Sequence, residues 1–372
     1  MTIQIAKLED IANIDYGTRV VKSKVEGDEY PVYGGGGETF RINKYNRENC
    51  VVVSRFAMSP KCTRYVNEKI FLNDSGLTVS TKDNSLLLQE YLNWYLLSKN
   101  DEIYSFGRGA GQRNLEIPSF KRMLISYPTD LEEQRKIISQ LKLADEIRAK
   151  KKLANDKLDE FLKSTFISMF GNPETNNKHW ETGTIRNIVK EAKYGTSSKA
   201  GSEGTYPILR MGNLTYEGAI TLDDLKYIDL KDNELEKYLV KQGDILFNRT
   251  NSKELVGKTA VYRYEQPMAF AGYLVRVRTN EKANAEFLSA FMNSDYMKRI
   301  LQLKCKNIVG MANINAQELQ DFSIYIPPME LQNKFAKIVE HVEAQKQKNE
   351  LVIEQMNNLF NSLSQRAFKG EL

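Results

Sequence analysis

LEEQRKI at residues 131–137 and MELQNKF at residues 329–335 are two versions of one motif, placed 198 residues apart. Each motif opens a stretch of about 40 residues without proline or glycine, in which apolar side chains recur about every 3.5–3.6 residues. This spacing predicts two long amphipathic helices, each roughly 60 Å long at 1.5 Å per residue. Gly171 and Gly370 follow the two stretches, where a glycine commonly ends a helix.

The two predicted helices have equal lengths and matching apolar positions, which favours an antiparallel coiled coil over two separate surface helices. Lys151 and Asn349 are polar residues at matching seam positions. In an antiparallel pair they would meet near the middle, where a polar pair fixes the register at some cost in stability. The predicted apolar seam residues are Ile137, Leu141, Leu158, Phe161, Val339, Val342, Met356 and Leu359.

The sequence ahead of each helix also repeats. YGT occurs at residues 16–18 and 194–196, and YP occurs at residues 30–31 and 206–207. VVVSR at residues 51–55 corresponds to ILFNR at 245–249, and NL at 114–115 corresponds to NI at 313–314. Because these pairs keep one order, the chain is two copies of one unit.

Short apolar runs punctuated by Gly, Asn and Pro predict an irregular α+β domain ahead of each helix. The expected fold is therefore α+β, with an internal pseudo-two-fold repeat: two similar globular α/β domains are separated by two long antiparallel coiled-coil helices. The expected boundaries are 1–129 for the first globular domain, 130–171 for the central helix, 172–327 for the second domain and 328–372 for the C-terminal helix.

Composition limits the chemistry that this chain can perform. Two histidines and three widely separated cysteines in 372 residues give no zinc-type spacing and no disulfide framework, so we predict no metal site and a reducing cytoplasm. No apolar stretch is long enough to span a membrane, and the first ten residues do not resemble a signal peptide. The formal charge of +5 is compatible with nucleic-acid binding but does not establish it.

Arginine and amide side chains at repeated strand ends are the candidate DNA-binding residues, because Arg, Gln and Asn make bidentate contacts with base edges. Two other roles remain open: a structural arginine that pairs with a carboxylate such as Asp244, and, for the glycine-rich segment 107–114, a solvated surface turn. A third loop follows the second YGT motif. The candidates are Ser54, Arg55, Arg108, Gln112, Arg113, Ser197, Ser198, Lys199, Asn248, Arg249, Asn251 and Lys253.

Two variable α+β domains, each followed by a long helix opening with LEEQRKI or MELQNKF, resemble the specificity subunit of type I restriction-modification enzymes. The resemblance covers essentially the whole chain, with Pro128 and the Pro327-Pro328 pair standing before the two helix openings. The second opening departs from the first in having Leu331 where the first has Glu133. This difference affects a helix surface and leaves the resemblance intact.

The resemblance implies a function without catalysis in this chain. Each globular domain would be a target-recognition domain that reads one half of a split, asymmetric target in double-stranded DNA, and the helices would set the unread gap. Two methyltransferase subunits would dock on the chain and methylate adenine with S-adenosylmethionine, which they would bind themselves. A motor-nuclease subunit is a further candidate partner, and no membrane is involved.

Two alternatives belong to other functional classes. A stand-alone DNA methyltransferase would need an Asn/Asp-Pro-Pro-Tyr/Phe loop, and the nearest match, residues 172–174 (NPE), lacks the second proline and the aromatic residue. A nuclease would need clustered carboxylates with a lysine, and the pair Asp223-Asp224 is weak evidence for such a cluster. The other alternative is a coiled-coil protein-interaction scaffold whose globular domains bind no nucleic acid.

Overall fold

The structure, a computed structural model, describes residues 2–308 and 311–369. The chain forms two compact units: unit 1 comprises Met1–Lys152 and Glu350–Leu372, and unit 2 comprises Leu153–Asn349. Each unit contains one globular region and half of each long helix. Gly171 ends the first long helix with a φ of +82°, as predicted, whereas Gly370 lies outside the described residues.

The first half of the chain has the following elements. The strands are β1 (Ile3–Lys7), β2 (Ala12–Tyr16), β3 (Tyr30–Gly34), β4 (Gly37–Ile42), β5 (Cys50–Ser54) and β6 (Thr63–Val66). They continue with β7 (Phe71–Leu72), β8 (Gly76–Thr81), β9 (Gly107–Arg108), β10 (Asn114–Leu115) and β11 (Leu124–Pro128). The helices are α1 (Leu8–Ile11), α2 (Gln89–Ser98), α3 (Asn100–Ser105), α4 (Ile117–Lys121) and the long α5 (Leu131–Phe170).

The second half follows the same plan. Its strands are β12 (Glu181–Thr184), β13 (Val189–Tyr194), β14 (Tyr206–Leu209), β15 (Lys226–Ile228), β16 (Leu239–Val240), β17 (Ile245–Asn248) and β18 (Thr250–Asn251). They continue with β19 (Thr259–Val261), β20 (Met268–Phe270), β21 (Leu274–Thr279), β22 (Lys306–Ile308), β23 (Met311–Asn313) and β24 (Ser323–Ile326). The helices are α6 (Asp232–Tyr238), α7 (Ala285–Met292), α8 (Asp295–Lys304), α9 (Ala316–Gln320) and the long α10 (Met329–Lys369).

Sheet topology confirms the internal repeat. Unit 1 contains a four-stranded sheet in the order β2-β8-β5-β6, and unit 2 contains its counterpart in the order β13-β21-β17-β19. The second sheets are β4-β3-β7 and β15-β14-β20-β16, and each has one parallel pair, β3 with β7 and β14 with β20. The pairs β1-β11 and β12-β24 bring the two ends of each globular region together. The predicted α+β repeat is therefore present.

The long helices are part of the cores rather than appendages. In unit 1, Ile137 and Leu141 of α5 and Phe368 of α10 belong to the main apolar cluster of the globular region. In unit 2, Phe166 of α5 and Phe335 of α10 do the same, with their rings 5.7 Å apart. Burial of these faces, at about 25 cal/mol per Å² of apolar area, holds the helices on the domains.

Matching contacts within the two units show that the helices run antiparallel. In unit 1, Arg148 of α5 donates to Asn357 of α10 at 3.1 Å. In unit 2, Lys346 of α10 donates to Asp159 of α5 at 2.8 Å. The repeat offset of 198 residues relates Arg148 to Lys346 and Asp159 to Asn357. The second contact is therefore the first one with the two helices exchanged. The predicted antiparallel, pseudo-two-fold pairing is confirmed.

The predicted seam is correct near the helix openings and wrong by one residue farther along. Ile137, Leu141, Val339 and Val342 are buried, and Leu158 and Met356 are half-buried.

Phe161 and Leu359 are instead 49% and 43% exposed. Their neighbours Leu162 and Phe360 pack against the cores. Inward positions on paired helices alternate in steps of three and four, and the step after Leu158 is four. The same error occurs in both copies because they share one register.

A polar pair of one buried and one half-buried asparagine lies in the part of the coiled coil that belongs to unit 2. Asn349 is 2% exposed, and its Nδ2 donates to Oδ1 of Asn155 at 2.7 Å. Lys151, the residue that the sequence predicts to lie opposite Asn349, is four residues before Asn155 in α5. A polar pair of this kind disfavours registers in which either amide would lack a partner.

The glutamine of each motif fastens a long helix to its globular region. Gln134 is fully buried; its Nε2 donates to the carbonyls of Leu86 and Pro128, and its Oε1 accepts from Leu88 N. Gln332 repeats this set, with Nε2 donating to the carbonyls of Lys282 and Pro327 and Oε1 accepting from Asn284 N. The glutamine recurs in both motifs because its side chain forms hydrogen bonds with three backbone groups of the globular region.

Gln134→Leu is expected to lower the free energy of unfolding of unit 1 by about 2–3 kcal/mol, since three backbone groups would lose a fully buried hydrogen-bond partner. Chemical denaturation of the full chain would measure the change. Gln140→Leu, at an exposed position of the same helix, is the control and should change stability little. Equal effects of the two substitutions would contradict the fastening role.

Candidate nucleic-acid interface

Each globular region has an arginine stacked on a tyrosine at the end of a central strand. Arg55 follows β5, and its guanidinium carbon lies 4.8 Å from the centre of the Tyr16 ring. Arg249 follows β17 and lies 4.9 Å from the centre of the Tyr194 ring. Both arginines are half-buried, and both tyrosines are 42% exposed. Stacking on a ring restricts the orientation of each guanidinium.

The YGT motifs hold these pairs in place. A Cβ atom on Gly17 would lie 1.8 Å from Asn73 O, and one on Gly195 would lie 2.2 Å from Phe270 O. Glycine is therefore required for the close approach of the chain to the neighbouring strand. The tyrosines were absent from the predicted site residues, although the repeat of YGT beside the repeated arginine was the available signal.

Backbone hydrogen bonds place a second segment beside each arginine. Arg55 O accepts from Leu115 N at 2.8 Å, and Arg249 O accepts from Ile314 N at 2.9 Å. In unit 1 this segment belongs to the β9-β10 hairpin, which carries exposed Arg108, Gln112 and Arg113. The structure thus brings these three predicted residues next to Arg55.

The hairpin has a tight turn and one stacked arginine. Gly109 has a φ of +118°, and a Cβ there would lie 2.2 Å from Gln112 O, so the turn requires glycine. Arg113 lies over the ring of Tyr104 at 4.6 Å. Arg108 approaches Glu116 only to 3.9 Å and is 68% exposed. A solvent-facing arginine of this kind is suited to phosphate contacts.

In unit 2 the remaining predicted residues lie in segments that follow Tyr194 or Arg249 in the chain. Ser197, Ser198 and Lys199 are exposed in the loop after the YGT motif. Asn251 is half-buried in β18, which pairs with β23, and Lys253 is exposed. Lys306 of β22 pairs with Glu318 and holds the pKa of that carboxyl below its usual range.

Ser54 and Asn248 correct the sequence expectation. Both are buried, at 1% and 0% exposure, because both faces of these central strands are covered: the residues before them, on alternate faces, are buried as well. Ser54 Oγ donates to Gly35 O at 2.6 Å, and Asn248 Oδ1 accepts from Thr250 N. These two residues support the strand ends and are not on a DNA-accessible surface.

The alternative role for Arg249, pairing with Asp244, is wrong. The Asp244 carboxylate accepts from Arg278 Nε at 2.7 Å and Nη2 at 3.1 Å. The side-chain hydrogen bond of Arg249 goes to Asn313 Oδ1 at 3.2 Å. Arg249 is thus oriented by a tyrosine ring and an amide, and it forms no ion pair with Asp244.

Comparison with known proteins identifies the family. Residues 2–160 and 177–355 match the family model for the type I restriction modification DNA specificity domain. The chain belongs to this family. The two matched segments correspond to the two copies of the repeat, each ending within a long helix.

Curated relatives carry names from the same family. The chain is 25% identical over 294 residues to the EcoKI type I restriction enzyme specificity subunit of Escherichia coli K12, covering 73% of this chain and 62% of that protein. It is 30% identical over 164 residues to the putative MjaX specificity subunit of Methanocaldococcus jannaschii, covering 43% and 38%. The chain therefore spans less than two thirds of the length of these two relatives.

Solved structures share the fold. The S subunit of a type I restriction-modification system from M. genitalium has a TM-score of 0.60 at 16% identity, with 99% of this chain and 96% of that chain covered. A chain from a structure on complex assembly and conformational transition of a type I R-M system has a TM-score of 0.54 at 14% identity, with 100% and 98% covered.

In residues 2–308 and 311–369, no three His, Cys, Asp or Glu side chains form a group that could hold a metal ion. Nor does that part of the chain contain a helix both long and apolar enough to cross a membrane.

Proposed function

We propose that this chain is a specificity subunit that recognises a bipartite, asymmetric sequence in double-stranded DNA, with one half read by each globular domain. The observation that carries the proposal is the tyrosine-stacked arginine at the equivalent strand end of both domains, Arg55 on Tyr16 and Arg249 on Tyr194. The family description, which names DNA specificity, supports the same role.

The arrangement suits base reading by the two arginines. A guanidinium presents paired N–H donors that match O6 and N7 of guanine in the major groove. Because stacking has already restricted the side chain, less rotamer entropy is lost when it binds a base. We assign base contacts to Arg55 and Arg249 on this ground.

Exposed residues around each arginine would complete the interface. Most protein–DNA hydrogen bonds go to phosphate and sugar, and they orient the protein on the duplex. In the first domain these contacts would come from the β9-β10 hairpin, and in the second from the loop after YGT and from the strand end. The residues are Arg108, Gln112, Arg113, Ser197, Ser198, Lys199, Asn251 and Lys253.

In this proposal the chain selects the site and leaves catalysis to partners. Two methyltransferase subunits would dock on it in the cytoplasm and supply S-adenosylmethionine, and a motor-nuclease subunit is a further partner. The purified chain alone, given S-adenosylmethionine and magnesium, should neither methylate nor cut DNA. Activity of the chain alone would favour an enzyme. Failure to bind DNA when methyltransferase subunits are present would favour an interaction scaffold.

Arg55→Ala and Arg249→Ala are each expected to weaken recognition of one half of the target by about 1–3 kcal/mol, the usual value of a bidentate base contact. The target is first defined by mapping methylated adenine in the source genome. Methylation by the reconstituted complex is then measured on duplexes that carry single base changes in each half.

Each arginine variant is the control for the other, because the two should relax different halves. Arg55→Lys keeps the charge and loses the fork geometry. A base contact therefore predicts loss of specificity with lysine, whereas a phosphate contact predicts retention. Uniform weakening across all sequences by both variants would contradict base reading.

A further inference from the structure

Unit 2 contains a cavity of about 300 Å³ where α5 and α10 pack against the globular region. Its apolar wall includes Leu162, Phe166, Phe335, Val339 and Ala290. Phe166 and Phe335 are 3% and 1% exposed, so the wall is continuous with the core. This volume lies at the lower end of the range for ligand pockets and suits a small molecule.

The internal repeat explains why the cavity exists. Gln134 accepts from Leu88 N in unit 1, and Gln332 accepts from Asn284 N in unit 2. Leu88 and Asn284 are therefore equivalent, and Trp94 and Ala290, each six residues later, are equivalent as well. The helix offset of 198 residues aligns Phe360 with Leu162.

In unit 1, the Trp94 and Phe360 rings pack 5.7 Å apart, with Arg148 over Phe360 at 5.9 Å. Unit 2 replaces both rings with smaller side chains. The space that an indole and a phenyl ring fill in one copy is thus open in the other.

The polar rim of the cavity determines the charge of a suitable ligand. Six acidic and four basic residues line it, for a formal net charge of −2. Arg263 pairs with Glu286 at 2.6 Å, Lys346 pairs with Asp159 at 2.8 Å and Arg299 pairs with Glu174 at 2.7 Å.

Among the described residues, Glu217 and Asp295 have no ion-pair partner within 4 Å, and neither does Lys163 of the same lining. Glu217 and Asp295 also attract the half-buried Lys298, which lies outside the lining. Because the lining carries a formal charge of −2, a cationic group is favoured at the mouth over an anionic one.

We propose that this cavity binds a small aromatic cation, in which a ring system of indole size occupies the space taken by Trp94 in unit 1 and an ammonium group faces the acidic rim. The arrangement resembles an amphipathic site with an apolar pocket and a few polar groups that fix orientation. The site belongs to unit 2 alone and does not depend on the DNA-contact residues.

Tryptamine is the probe, with isothermal titration calorimetry on the full chain as the measurement. One molecule should bind per chain. Indole-3-acetate, which has a similar ring and the opposite charge, should bind at least about tenfold more weakly because of the acidic rim. Absence of tryptamine binding at millimolar concentration, or equal binding of the two probes, would overturn the proposal.

Variants at equivalent positions connect binding with the cavity. Ala290→Trp should fill the space with the chain's own indole and abolish tryptamine binding, and Ala290→Leu is a milder version that should weaken it. Trp94→Ala is the matched control in unit 1, where Arg148 lies over Phe360 in place of an acidic rim, and it should leave tryptamine binding at one molecule per chain. Binding that survives Ala290→Trp in folded protein would contradict the assignment.

A competition experiment distinguishes a free ligand from a protein side chain. Tryptamine binding should persist when methyltransferase subunits are assembled on the chain. Complete loss of binding on assembly would show that a partner covers or fills the cavity, and would overturn its assignment to a small molecule.

Discussion

Asp244→Ala is expected to lower the free energy of unfolding of unit 2 by about 3–5 kcal/mol, the usual cost of removing one partner from a buried ion pair. The Asp244 side chain is 6% exposed and makes a bidentate contact with Arg278. Its Oδ2 also accepts from Lys241 N at 2.9 Å and lies 3.9 Å from Arg276 Nε. Arg276 is completely buried, so removal of the Asp244 carboxylate leaves its guanidinium charge with fewer nearby negative charges.

At the equivalent strand position, unit 1 has a neutral residue whose hydroxyl accepts from Arg47 Nε at 3.0 Å. The tyrosine of the YGT motif pairs with Leu77 in unit 1 and with Val275 in unit 2. The next residues along these strands, Thr78 and Arg276, are therefore equivalent. A neutral hydroxyl thus stands where unit 2 has a buried cation. The expected cost of Asp244→Ala therefore comes from breaking an ion pair and not from losing a packing element.

Chemical denaturation of the full chain would measure this effect. Asp321→Ala is the matched control in the same unit, because Asp321 forms an exposed pair with Arg186 at 2.6 Å and should contribute at most about 1 kcal/mol. The double variant Asp244→Ala/Arg278→Ala should recover part of the loss, since no half of the bidentate pair remains. Equal effects of the buried and exposed substitutions would show that the network contributes little.

The long helices and the repeat were predictable because they depend on local periodicity and on self-similarity within the chain. The structure gives α5 and α10 lengths of 40 and 41 residues, as the apolar spacing indicated. The error at Phe161 and Leu359 has a local cause as well. Adjacent apolar residues on a helix differ by about 100° in direction, so apolarity alone does not decide which one faces the partner.

The candidate site was predictable only in part. The repeated strand-end arginines were found from sequence, but their tyrosine partners lie 39 and 55 residues earlier in the chain. The burial of Ser54 and Asn248 depends on segments distant in sequence that pack against the strand ends, such as Gly35 against Ser54 and Lys258 against Asn248. The Asp244 network joins the turn before β17 to β13, β21 and α6, and no local pattern in the sequence specifies such a set.

Exchange of residues 1–129 for the corresponding domain of a family member with another target is expected to replace one half of the methylated sequence completely. The other half should remain unchanged. The proposed readers of the first half, Tyr16-stacked Arg55 and the β9-β10 hairpin, all lie within the exchanged residues. Those of the second half lie in the retained domain. Mapping of methylated adenine in cells that carry the exchanged chain is the measurement.

The junction should tolerate this exchange because of how the helix is fastened. All three hydrogen bonds of Gln134 go to backbone atoms, which any globular domain of the same fold would present. Phe368 is more demanding, because it packs on the rings of Tyr91 and Tyr95. The incoming domain should therefore have aromatic residues at both positions. With that choice, a loss of DNA recognition would not result from misfolding at this contact.

The reciprocal exchange of residues 172–327 is the matched control and should change only the other half. If either exchange altered both halves, the two domains would not read independently, and the assignment of one arginine to each half would be wrong. If a folded exchange left both halves unchanged, recognition would reside outside the globular domains. Independent reading requires that each half of the target follow one domain, because the stacked arginine, the hairpin and the YGT turn that orient it are held within a single unit.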